Sequence, residues 1–296
     1  LWLVGLHRVL RRGRVPFPSV VAVALVLFAL PVPFALDRGN VEVFVALLLI
    51  VAALPAVGTR RSKTDRVWPI VAAAFLKISP IVLLGIVRWR RRTLFELVAC
   101  GVIFGGLTVL SLALMEGSLI GSGRAFIDLS RGFGTGSADP FVFRSTIWGT
   151  ELALETALRF DIPFAAPSGA VCLAIIGAFA FVAAVLPMHL WERMAVIACT
   201  MVLFSADGPA YRLLYLLVAC AVFLGDVWPR RNWYSLLAAV LFAASLAPKP
   251  WIPELPWAWT LLTGTTLLAL LVTVLGVGVA RGICPGWRAR RLAAPG

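Results

Sequence analysis

Lys77-Ile78-Ser79-Pro80 places the single charge of the apolar run Val67–Val87 near its middle, three residues before a proline. A charge at the centre of a membrane helix costs about 2.5–3.5 kcal/mol on insertion scales, and proline breaks the hydrogen-bond ladder. An ammonium in such a place has two readings. It suits a phosphate, as a compact charge with three donors. Alternatively it snorkels, or pairs with a buried acid such as Glu42. The segment Asp37-Arg38-Gly39-Asn40-Val41-Glu42 lies between two apolar runs and also reads two ways. As a turn, Gly39 permits positive φ and Asn40 caps the next helix. As a site, Asp37 is the best-placed catalytic acid, and Arg38, Asn40 and Glu42 face a charged substrate in a cavity.

The largest polar stretch, Gly117–Ser168, carries Arg124, Arg131 and Arg144, which serve either a phosphate or the membrane surface. Asp128 and Asp139 are candidate substrate-binding or catalytic acids. They are also the only candidate ligands for a divalent cation, and no other cofactor is called for. Gly132, Gly134 and Gly136 make no nucleotide-binding fingerprint, because no strand precedes them and no Gly-Lys-Ser/Thr follows. Phe126, Phe133 and Phe141 suit short interfacial helices. A second polar turn, Ser205–Arg212, is either a capped helix break or a place where Asp207, Tyr211 and Arg212 meet a sugar and its phosphate. Trp251, Trp257 and Trp259 look like an interfacial belt.

These residues must be positioned by a membrane protein. The 296-residue chain is 61% hydrophobic and 14% charged, with mean hydropathy +0.95. Soluble domains are about 45–50% apolar and about 25% charged. That excludes a soluble enzyme with one large core, and equally a disordered chain. The formal charge of +13 does not point to nucleic acid, because the basic residues cluster at the flanks of apolar runs: Arg8–Arg14, Arg60–Arg66, Arg88–Arg92 and Arg288–Arg291. Cys100, Cys172, Cys199 and Cys220 fall in apolar runs and Cys284 in a basic tail, with no metal or disulfide spacing.

Apolar runs that could form membrane segments are Val20–Leu36, Val41–Gly58, Val67–Val87, Leu94–Met115, Gly169–Met188, Met194–Ala206, Leu213–Trp228, Trp233–Ala247 and Trp259–Ala280. The expected fold is all-α: one polytopic bundle over residues 1–296 with eight or nine hydrophobic segments, residues 117–168 forming an outer-face loop. Val67–Val87 has basic clusters at both ends, so it is expected as a re-entrant hairpin with Lys77 at the apex. Two arms of about 10 residues at 1.5 Å each reach about halfway through the bilayer. With the hairpin, 19 basic residues are cytoplasmic and 7 lie outside, whereas a plain span gives 14 and 12. The positive-inside rule prefers the first, with both termini of the chain cytoplasmic.

"ALDRGNVEVFVALLLIVAAL", followed by a basic loop and "AAAFLKISPIVLLGIVRWRRR", resembles the bacterial membrane glycosyltransferases of GT-C architecture, in particular the glycosyltransferase 87 or DUF2029-like group. "FSADGPAYRLLYLLVACAVFL" is similar to that family's polar turn and Tyr-x-Leu helix. The resemblance covers about 80 residues. It implies a bacterial plasma-membrane enzyme that transfers a mannose-like sugar from a polyprenyl-phosphate donor to a glycan or lipid acceptor on the outer face. It also implies Lys77 at the donor phosphate, with Arg144 and Arg212 as further phosphate contacts. The family's catalytic acid sits on an outer loop ahead of the Arg-Gly-Asn motif, so the base is expected upstream of this chain, with Asp37 as the candidate within it. A flippase of lipid-linked saccharides and a non-catalytic membrane subunit are the alternatives.

Overall fold

The computed structural model describes residues 41–53, 63–77, 79–116, 120–121, 124, 146–158, 169–205, 212–226, 232–247 and 256–283. Among them every regular element is helical: α1 (Glu42–Ala53), α2 (Trp68–Leu76), a 3₁₀ helix (Ser79–Ile86), α3 (Arg91–Glu116), α4 (Ile147–Leu158), α5 (Gly169–Val185), α6 (Leu190–Leu203), α7 (Leu213–Asp226), α8 (Trp233–Leu246) and α9 (Pro256–Ile283). The all-α expectation holds for this part of the chain. The expected run Val20–Leu36 lies outside the described residues.

Two stretches, Arg91–Ser111 and Trp257–Ile283, are long and apolar enough to cross a membrane. The apolar helices α1, α5, α7 and α8 are shorter, 12 to 17 residues. At 1.5 Å per residue they measure about 18–26 Å, less than the roughly 30 Å of a hydrocarbon core.

The Val67–Val87 segment folds back on itself. Pro69 sits in the first turn of α2, where its missing N–H costs nothing. The helix stops at Lys77, whose backbone is extended at φ −155° and ψ 124°. Ser79 precedes Pro80, and the residue before a proline is pushed away from the α conformation. The chain returns as a 3₁₀ helix, not as the second α-arm that the apolar run suggests, and packs against α2 and α5. Gly85 allows the close approach, because a Cβ there would lie 3.2 Å from the Ala180 carbonyl oxygen. Thr64 and Val87 then meet: Thr64 N donates to Ile86 O at 2.9 Å, and Arg88 N to Thr64 O at 2.8 Å. Thr64 Oγ1 also donates to Ala52 O at 2.5 Å, tying both ends of the hairpin to the end of α1.

Helix α6 is the centre of the body. All its residues are buried, under α5, α7, α9 and the 3₁₀ helix. Trp191 packs edge-on to Phe223 with ring centroids 4.9 Å apart, and Phe242 completes the aromatic cluster 5.5 Å from Phe223. Helix α6 begins four residues earlier than the apolar run, taking in Glu192 and Arg193. These charges are tolerated because both are bonded. Arg193 donates to the carbonyls of Ala183, Leu186 and Met188 around the end of α5, where the helix dipole favours a cation. Glu192 Oε2 accepts from His189 N at 2.7 Å.

Helix α3 has the opposite surroundings. It touches the rest mainly through α2, and Phe95, Val98, Val102 and Leu114 are all well exposed. Of the expected outer loop 117–168, the described part includes α4, which lies along α9. Gly264 makes room for it, since a Cβ at that position would stand 1.7 Å from Thr150 Oγ1.

Candidate functional site

Three elements bring polar side chains together in an otherwise apolar body. Glu42 is the first residue of α1 and fully buried. Lys77 closes α2 at the hairpin break. Tyr215 is the third residue of α7, which packs beside α1. Lys77 Nζ donates to Glu42 Oε1, and the Tyr215 hydroxyl donates to Glu42 Oε2. The carboxylate is thus bonded on both oxygens, which is what makes a buried charge tolerable.

Lys77 keeps 24% of its side-chain exposure while Glu42 has none, so the pair sits at the edge of the body and not in a sealed core. Ser79 Oγ faces the Tyr215 hydroxyl, and the Arg212 guanidinium lies near the same group. Arg212 Nε is buried and takes no hydrogen-bond partner among the described residues. Glu42, Lys77 and Arg212 together carry one more positive charge than negative. A buried guanidinium N–H without a partner, beside a net positive charge, makes a place for an anion to bond.

Of the residues singled out in the sequence, Glu42, Lys77 and Arg212 are brought to this cluster. The fold realises the pairing of Lys77 with Glu42. Asp37, Arg38, Asn40, Asp128, Asp139, Arg144, Asp207 and Tyr211 lie outside the described residues. Among the described residues no group of three or more His, Cys, Asp or Glu side chains could hold a metal. The candidate cation ligands Asp128 and Asp139 are not among them.

Tyr215 and Ser79 were not legible as members. The chain has three tyrosines, and the two described ones each donate to a buried glutamate, so their scarcity in apolar helices was the available signal. The second such glutamate is Glu192, whose Oε1 accepts from Tyr234 OH at 2.8 Å and whose Oε2 accepts from Arg281 Nη1 at 2.6 Å. Arg281 also stands 5.7 Å from the Tyr234 ring centroid, in cation–π range. This network joins α6, α8 and α9, with Glu192 bonded on both oxygens to side chains of the other two helices, so it reads as a clamp.

Comparison with family models, with curated proteins and with solved structures finds no match for this chain.

Proposed function

We propose that this protein is a polytopic membrane glycosyltransferase of GT-C type, which takes a sugar from a polyprenyl-phosphate donor and passes it to an acceptor hydroxyl on the outer face. The observation that carries the reading is the cluster at the hairpin break: a lysine fixed by a buried carboxylate, with Arg212 beside it and one net positive charge. In this reading Lys77 and Arg212 flank the donor phosphate. Glu42 and Tyr215 hold the ammonium in place. The bond from anomeric carbon to phosphate oxygen breaks as the acceptor oxygen attacks, and the two cations stabilise the negative charge gathering on the leaving phosphate. The acceptor proton passes to a carboxylate, for which Asp37, five residues before Glu42, is the candidate within this chain.

Membrane embedding is supported by composition, by the two long apolar helices and by the unburied surface of α3. The fold-back then reads as a re-entrant hairpin. Its α2 arm of 9 residues, about 14 Å long, carries Lys77 roughly halfway into the hydrocarbon. A discontinuous helix holding a charge at depth is also how transporters build substrate sites, and this favours a flippase of lipid-linked saccharides as the second reading.

The test is transfer of labelled sugar from polyprenyl-phosphate mannose by the purified protein in liposomes. Lys77→Gln and Arg212→Gln are each expected to lower transfer about 10- to 100-fold, the worth of one charge-assisted bond to the leaving phosphate. Lys77→Arg should keep more activity than Lys77→Gln. Labelled donor that crosses the bilayer unbroken would replace the transferase with the flippase.

A further inference from the structure

At the other end of the hairpin the backbone contacts of Thr64 with Ile86 and Arg88 draw two basic segments together. Lys63 and Arg66 come from one segment, and Arg88, Arg90, Arg91 and Arg92 from the other. Six cations therefore share one surface with two acids, Asp65 and Glu96. Asp65 faces Arg88 at 3.9 Å and Glu96 pairs with Arg92 at 3.3 Å. Lys63, Arg66, Arg90 and Arg91 form no ion pair among the described residues. Trp68 and Trp89 stand about half exposed, at 43% and 44%, within the same patch. Directly above it rises α3, whose first apolar residues Leu94, Phe95 and Val98 are exposed at 50%, 75% and 64%.

We propose that this surface is a binding site for the headgroup of an anionic phospholipid. A soluble anion would use the arginines alone. The patch instead couples cations to two exposed indoles and to an uncovered apolar helix, which is the layout of a phosphate above an acyl chain: charge at the headgroup level, indole at the boundary, hydrocarbon below. Burial and the nearby Arg193 and Arg88 guanidiniums hold the Lys63 ammonium below its ordinary range, so a bound phosphate would relieve a repulsion that the fold leaves in place. The site is separate from the Glu42–Lys77 cluster and stands whether or not the protein transfers sugar.

Native mass spectrometry of the full chain in neutral detergent, offered phosphatidylglycerol and phosphatidylcholine at equal concentration, tests this. Preferential retention of phosphatidylglycerol is expected. The triple variant Arg66→Gln/Arg90→Gln/Arg91→Gln should lose affinity by about 100-fold, about five-fold per arginine. These three arginines are exposed and outside the ion pairs, so the fold should survive their loss. A salt titration of the unaltered protein gives the same answer without mutation, with retention falling as screening rises. Equal retention of both lipids, or unchanged retention in the folded triple variant, overturns the proposal. Displacement of phosphatidylglycerol by inorganic phosphate at equal concentration would also overturn it, assigning the patch to a soluble anion.

Discussion

Glu42 accepts from both Lys77 and Tyr215, so its removal leaves two donors in a site built around a carboxylate. Glu42→Gln is expected to destabilise the protein by about 3 kcal/mol, the low end for breaking a buried pair because Lys77 keeps partial exposure. The double variant Glu42→Gln/Lys77→Gln should recover most of that loss, since no charge is left behind. Thermal unfolding in detergent measures both, and a double variant no more stable than Glu42→Gln would remove the ion pair from the account. Tyr215→Phe is expected to cost about 1.5–3 kcal/mol, as for a hydrogen bond to a charged acceptor. Lys63 offers a pH test. Its lowered range means that the neutral amine is reached at lower pH than in an ordinary lysine. Amine-reactive labelling should therefore rise at lower pH at Lys63 than in a free lysine peptide, and phosphatidylglycerol should shift the Lys63 profile upward.

At the scale of elements, the sequence told where helices break better than how they pack. Pro80 and the lone charge of Lys77 announce the hairpin, and a lone acid at the start of the previous run announces its partner. The 3₁₀ form of the return arm was not readable, because it depends on the fit of Gly85 against Ala180. The Glu192 clamp was equally hidden. Its members lie 42 and 89 residues from Glu192, and no local pattern links a tyrosine in α8 or an arginine in α9 to the start of α6. Helix α4 was legible only as part of a polar stretch, and its seat on α9 rests on one missing side chain. Gly264→Val should push α4 away from α9, since even a single Cβ overlaps Thr150. Thermal unfolding in detergent measures the loss of that contact, and the midpoint should fall with Gly264→Val while Gly276→Ala, where a Cβ meets nothing, leaves it nearly unchanged.

For the whole molecule, sidedness follows from the hairpin. If residues 67–87 enter and leave on one face, cysteines placed at Arg66 and Arg90 will react with a membrane-impermeant thiol reagent from the same side of sealed vesicles. Labelling from opposite sides would mean that the segment spans, and the positive-inside count would then favour it far less. The two polar assemblies are distinct: Glu42, Lys77 and Tyr215 join the start of α1, the end of α2 and the start of α7, and Glu192, Tyr234 and Arg281 join the start of α6 to α8 and α9. The first has a partly exposed lysine and a buried guanidinium N–H without a partner, which is why substrate chemistry is proposed for the first.

The enclosure of α6 has a consequence for biosynthesis. A helix buried on every side gains little from lipid contact, and this one begins with Glu192 and Arg193, whose partners include a tyrosine and an arginine made later by the ribosome. If the chain inserts into a bilayer as it emerges, Leu190–Leu203 has to wait beside the insertion machinery until α8 and α9 arrive to cover it. Assembly would then run from the outer helices inward, with the central one settling last.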